Sequence, residues 1–386
     1  MAEQRNKTNK KFMVLSALGI FMVVDHHTFT ALNLFGDFIP YNSFFMPMFV
    51  FISGYFNRID GSSKLGAYTL KKLKTLLLPY AGISVAVFVL EWLIDWFKTG
   101  EMPSYPSGYL MYVLEKVITV GSPFIVAEPM WFVITLFALL MVYAIIKKLL
   151  CKIWNSYVML GIFCGLHILA VYLAKTVDPE SLSWFLLPLK VLFFLPFIEL
   201  GIIYREHLEK KHDGLPGGAK IALLFGLLLI NMIRTLYLPS AYDVAFDGIN
   251  GLSGFTSPYV VTPLVSSVVG ILFWLTLTDL TGKPFYESRF VNYMSCNTFW
   301  IMGFHFLFFN VLNCILMLIS EYITELPYFN VEVFKESVFY FWEISNNVKI
   351  IYVIAGILGP LGIKRFYDLI TSPLKKTAGG NKTKAA

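Results

Sequence analysis

Nine ionisable side chains lie inside otherwise apolar stretches: Asp25, His26, His27, Glu91, His167, Lys190, Glu199, Arg234 and His305. Each costs about 2–3 kcal/mol or more at mid-depth in hydrocarbon, so such groups face a cavity or a partner. Histidine is the side chain best suited to take a proton from a hydroxyl near neutral pH. His26 and His27 are about 100° apart on a helix, so only one of them can face a given point. A histidine in such a place also serves simply to hydrogen-bond a carbonyl. Residue type leaves both readings open for His26, His27 and His305. Lys190 and Glu199 fall on opposite faces of one helix and are expected to pair with separate neighbours.

A second group is cationic. Arg58, Lys64, Lys71, Lys72 and Lys74 precede the apolar run LLLPY. Lys71 and Lys74 share a helix face at i, i+3. They anchor a membrane segment on its cytoplasmic side, or form a phosphate clamp there for a nucleotide-bearing donor.

The elements that position these residues follow from composition. Of 386 residues, 57% are hydrophobic and 15% charged, with a mean hydropathy of +0.66. A soluble domain carries about a quarter charged residues, so the excess apolar surface requires a bilayer. The chain reads as an all-α polytopic membrane protein. Windows of about 20 apolar residues, enough to cross about 30 Å of hydrocarbon, predict ten spans: 11–29, 39–57, 75–97, 129–149, 155–174, 184–204, 219–238, 259–280, 293–319 and 347–366. On these windows His27, Glu91, His167, Lys190 and Arg234 lie in the outer half and His305 near the midplane, which suggests a polar cavity opening outward.

Charge distribution orients the spans. With the N-terminus cytoplasmic, 24 of the 31 lysines and arginines fall in or next to inside segments, as the positive-inside rule requires. Both termini are therefore expected in the cytoplasm. Residues 1–10 form a basic N-terminus, 11–366 a single ten-span domain and 367–386 a disordered tail. The first apolar run lacks a small-x-small cleavage site and is expected to be retained as a span. The pieces 105–126 and 330–345 are interrupted by Pro, Gly and charged residues and are expected at the interface. Loops 98–128, 239–258 and 320–346 would cap the cavity. The lysines and arginines sit in short loops, which excludes a nucleic-acid surface. Cys151, Cys164, Cys296 and Cys314 have neither metal-ligand nor disulfide spacing, and no metal site is expected.

The stretch Phe44–Phe56, FFMPMFVFISGYF, carries Pro47, expected to kink a span, and Ser53-Gly54, which permits close approach of another backbone. This block resembles the membrane acyltransferase-3 family, in particular its fucose 4-O-acetylase-like branch. Matching pieces occur in the same order: His26 or His27 after GIFMVV, Lys71-Lys72-Leu73-Lys74 before Pro79-Tyr80, Trp131-Phe132, Leu195-Pro196-Phe197 with Gly201, and Cys296-Asn297-Thr298 ahead of Phe304-His305. The family commonly carries an arginine eleven residues before the first-span histidine, where this chain has Ser16 or Leu15.

The resemblance implies O-acyl transfer, usually acetyl, from cytoplasmic acetyl-CoA to a hydroxyl of a surface polysaccharide or lipid-linked glycan in the bacterial inner membrane. It implies His27 or His26 as general base and the basic residues Lys71, Lys72 and Lys74 at the CoA phosphates; beside these, His305 is read as a residue that orients substrate or shares the acid–base role. Asp25, Glu91, His167, Lys190, Arg234 and Asn297 would line the cavity. Arg234, Lys190 or Asn297 would serve the developing thioester oxyanion. A non-enzymatic exporter of exopolysaccharide is the competing expectation, although no two-fold repeat of the kind carriers use is present.

Overall fold

The structure, a computed structural model, describes residues 2–380 except 123, 125, 177–182, 238–259, 338 and 344, and side chains within 10–371 other than those of 37, 183 and 346. The 239–258 loop expected to cap a cavity, and residues 381–386, lie outside the described residues. Among the described residues every regular element is helical. Eight helical runs are long and apolar enough to cross a bilayer: Leu65–Thr99, Glu128–Leu149, Ser156–Thr176, Leu186–Asp213, Gly217–Tyr237, Thr262–Thr281, Thr298–Tyr322 and Asn347–Thr371. The protein is thus a multi-pass, all-α membrane protein.

The two remaining expected spans differ from these eight. Helix α1 (Ala2–His26) begins earlier than predicted, and its apolar part runs from Phe12 to Val24. In place of a span over 39–57 there is a short helix, α2 (Phe45–Phe56, 12 residues), about 18 Å long. Residues 28–44 form turns and two short 3-10 segments. Pro47 sits in the first turn of α2 and does not kink it, because an N–H there would have no intrahelical acceptor in any case.

Helix α3 (Leu65–Lys72) continues through a π-helical turn (Leu73–Leu77) into α4 (Leu78–Thr99). Pro79 near the start of α4 cannot donate to the preceding turn, and the wide π turn absorbs that interruption. There follow α5 (Tyr109–Thr119), α6 (Trp131–Leu149), α7 (Ser156–Thr176), α8 (Leu186–Ile203), α9 (Glu209–Asp213), α10 (Gly217–Tyr237) and α11 (Thr262–Thr281). The predicted span 293–319 is divided at Asn297 into α12 (Arg289–Cys296) and α13 (Thr298–Tyr322). After the short α14 (Val331–Glu336), α15 runs from Asn346 to Gly380. Most of the segment expected as a disordered tail is therefore helical.

The centre of the bundle is α2 against α8, both buried over most of their length. A Cβ on Gly54 would stand 2.2 Å from the Ile198 carbonyl oxygen, and one on Gly201 would stand 2.2 Å from that of Phe51. The two glycines let the backbones touch, the small-residue mode of packing in membranes. Arg205 closes this crossing by donating to the carbonyls of Tyr55 (2.7 Å) and Asn57 (2.6 Å) at the end of α2. Helix α1 also packs against α2, with Phe12 stacked on Tyr55 at 3.9 Å between centroids.

Candidate active site

Helix α1 and the α12–α13 pair run side by side in the same direction. Lys10 meets Glu287 at 3.9 Å at one end, and His27 meets His305 at 3.1 Å at the other. His305 is therefore level with His27, although the sequence windows place it nearer the midplane. The reason is that α12 adds its own length below the break at Asn297.

Asp25 fixes the chain where it leaves α1. It is fully buried, and its carboxylate accepts from the amides of Leu32 (3.0 Å) and Asn33 (3.2 Å). The residues between turn sharply, with positive φ at Phe29, Thr30 and Asn33. Asp25 is thus spent on the backbone of this turn and offers no free oxygen to a cavity. His26 turns its ring toward Phe45, 5.5 Å between centroids. His27 turns toward His305 and Phe306, at 5.0 and 4.8 Å. Of the two expected bases, His27 is the one that meets the second histidine.

Hydrogen-bond polarity in this pair follows from its far end. His305 Nδ1 lies 3.0 Å from the Ile301 carbonyl oxygen, which can only accept, so Nδ1 of His305 carries the proton. Its Nε2 is then the acceptor, and His27 Nδ1 must be the donor across 3.1 Å. His27 Nε2 is left with a lone pair. A base oriented by a second group whose own tautomer is held is the arrangement that nucleophile activation needs.

The remaining predicted residues separate by environment. His167 donates from Nδ1 to the Phe193 carbonyl (2.7 Å) under Phe193 and Phe197, and its Nε2 is buried without a hydrogen-bond partner. It ties α7 to α8 and is sealed from any cavity. Lys190 donates to the Val120 carbonyl (3.2 Å) and lies 4.2 Å from the Trp131 ring centroid. Glu199, as expected, pairs elsewhere, accepting from Tyr143 (2.6 Å) and Trp154 (3.4 Å). Arg234 donates to Asn231 Oδ1 (2.9 Å) within α10. Asn297 donates to the Tyr293 carbonyl (2.7 Å) and closes α12. It stands eight residues before His305, about 12 Å along the helix, too far to act at the same atom. Glu91 does line a cavity, between α4 and α5. Lys71 and Lys74 are exposed on α3 and the π turn, and Lys72 lies 5.5 Å from the Tyr68 ring centroid.

Sequence reasoning overlooked a second polar cluster. His212, Asp213 and Asp279 bring ligand-type atoms within 4.8 Å of one another, the kinds of group that acid–base catalysis also uses. Their positions in short charged segments gave no signal of it. Asp213 is bound to the buried Lys11 at 2.6 Å, and Asp279 is ion-paired to Lys220. His212 uses both ring nitrogens, on Tyr204 (3.0 Å) and Thr276 (3.1 Å). A cation here would have to displace two ammonium groups, so these residues do not fit a metal.

Comparison with known proteins agrees with the motifs. A family model described as an acyltransferase domain matches residues 12–361. No curated protein and no solved structure matches the chain. The family match spans α1 to α15 and takes in both His27 and His305; the chain belongs to the acyltransferase-3 family.

Proposed function

We propose that this protein is an integral-membrane O-acyltransferase, of the fucose 4-O-acetylase-like kind, that moves an acetyl group from cytoplasmic acyl-CoA to a sugar hydroxyl of a surface polysaccharide or lipid-linked glycan. The observation that carries the reading is the His27–His305 contact between helices 278 residues apart in sequence, with its hydrogen-bond polarity directed toward His27 Nε2. In the reaction, Nε2 of His27 takes the proton of the acceptor hydroxyl as its oxygen attacks the thioester carbonyl carbon. The tetrahedral intermediate then expels the CoA thiolate, which recovers the proton from the imidazolium. One ester forms, one thioester breaks, and the histidine returns to its starting state. His305 is the positioning residue that accepts the Nδ1 proton of His27 and steadies the imidazolium.

The domain is read as crossing the bacterial inner membrane ten times with both ends in the cytoplasm, on the strength of the lysine and arginine distribution. In that orientation Lys71, Lys72 and Lys74 lie at the inner face, where ammonium groups suit the phosphates of CoA. The test is mass spectrometry of envelope glycans from cells with the gene, without it, and carrying His27→Ala. An alkali-labile acyl group present only with the intact gene is the expected result. Unchanged acylation, with glycan accumulating inside the deletion strain, would overturn it in favour of an exporter.

A further inference from the structure

A cavity of about 350 Å³ opens between α4, α5 and the segment after α5, lined among others by Glu91, Asp95, Tyr105, Tyr109, Tyr112 and Lys116. Its wall is a run of rings. Tyr105 stacks on Tyr109 at 4.4 Å, Tyr109 neighbours Tyr112 at 6.1 Å, and Phe88 joins Tyr105 to Phe124 at 5.3 and 5.0 Å.

The floor is built rigidly. Gly121 has φ of +92°, and a Cβ there would stand 2.9 Å from the Trp131 carbonyl oxygen. The carbonyls on either side of this turn are held by Lys190 (3.2 Å, to Val120) and Tyr80 (3.0 Å, to Gly121). Ser122, which also lines the cavity, donates to Ala127 at 2.8 Å. The buried Lys190 and the Tyr80 hydroxyl therefore both serve to shape this cavity.

Acidic side chains outnumber basic ones in its lining. Glu91, Asp95 and Glu128 line it against Lys116, while Lys98 stands 3.7 Å from Asp95. The opposite face of α5 exposes Leu110, Met111, Leu114 and Ile118, the pattern of a helix lying at a lipid interface. Its depth relative to the histidines can be read from α4 and α13, which run in the same direction. Ile83 would meet a Cβ on Gly303 at 2.5 Å, and further along, Leu90 and Phe97 share a groove with Leu307 and Leu318. Glu91 is eight residues beyond Ile83, and His305 is two beyond Gly303. Along the helix axes the cavity is thus offset by about 9 Å from the level of the histidine pair.

We infer that this cavity holds the saccharide unit of the acceptor, and that it selects a neutral or amino sugar over an anionic one. The inference rests on reading the protein as a glycan O-acyltransferase. Aromatic side chains bury the apolar C–H faces of a pyranose, and carboxylates accept strong hydrogen bonds from its hydroxyls or ammonium. The same carboxylates repel a uronate or a phosphate, which supplies selectivity through a repulsive element. A position beside the lipid-facing α5 suits a sugar that arrives on a lipid carrier.

The test is saturation-transfer NMR on the full chain in lipid nanodiscs, free of glycoside detergent, with methyl glucoside, methyl glucosaminide and methyl glucuronide as probes. Transfer to the first two and not to the third is expected. Tyr105→Ala and Glu91→Gln should each lower it at least tenfold, Tyr105→Phe should retain it, and Glu91→Lys should shift preference toward the glucuronide. No transfer to any probe, equal transfer to the glucuronide, or full binding by Tyr105→Ala would overturn the inference. His27→Ala separates this claim from the catalytic one. Binding retained in that variant while glycan acylation is lost supports both claims. Binding absent from an enzyme that still acylates glycan sinks this site alone, and binding without acylation in any strain sinks only the catalytic reading.

Discussion

The apolar part of helix α1 carries a polar cluster at each end, and the two differ in whether their hydrogen bonds close. Near its start, Lys11 donates to Tyr204 (3.1 Å) and Asp213 (2.6 Å). Tyr204 then donates to His212, His212 to Thr276, and Thr276 to the Leu272 carbonyl at 2.7 Å. Each donor in that chain finds an acceptor, and each charge finds a counter-charge. At the far end the chain runs from His27 to His305 to the Ile301 carbonyl and leaves one ring nitrogen of His27 with a lone pair. A closed network holds helices together. An open one that ends on a partly exposed ring can act on a ligand. Buried histidine by itself therefore distinguishes nothing: His167, His212 and His305 are all buried, and only the one that addresses a second, partly exposed histidine belongs to the candidate site.

This contrast can be broken by mutation. The largest effect is expected from His27→Ala, with acyl transfer falling about 10²–10⁴-fold, the usual contribution of a general base, while the thermal midpoint of the purified protein stays within a degree or two. A stability loss matching the activity loss would place His27 in the same structural class as His212. His305→Ala should cost less activity than His27→Ala. His305→Gln, whose amide oxygen can accept from His27 Nδ1, should recover part of it in a transfer assay across pH.

Lys11→Met should show the opposite profile. It leaves the half-exposed Asp213 without its cation, at about 2 kcal/mol, seen as a lower unfolding temperature with activity per folded molecule unchanged. The smallest effect is expected from His212→Ala, about 1 kcal/mol for the orphaned Tyr204 and Thr276 hydroxyls, again without change in turnover. Loss of transfer in either of these two variants at full folding would move the lower cluster into the catalytic machinery.

Much of the architecture was legible because it follows from local, additive quantities. Hydropathy over windows of about 20 residues locates the eight long apolar helices, since each must shield its own backbone whatever its neighbours do. Gly54 was legible as a point of close approach for the same kind of reason, a missing side chain. Its partner Gly201 was in view too, as part of a separate motif, but that the two face each other across α2 and α8 was not. That α2 is short was not in view, because hydropathy does not register that residues 28–44 are turned by Asp25 and Tyr41, whose hydroxyl takes the Leu34 amide at 2.6 Å.

The sequence by itself determined that this is a helical membrane protein, that its histidines and carboxylates are too costly to face lipid, and, through ordered motifs, its family. Tertiary structure alone decided that His27 and not His26 meets His305, that Lys190 braces the floor of a cavity, and that Asp25 serves the backbone. The physical reason is range. Burial in lipid is a property of one segment at a time, whereas a hydrogen bond of 3.1 Å between residues 278 apart depends on how α1, α12 and α13 are rotated and levelled against one another, which no local pattern records.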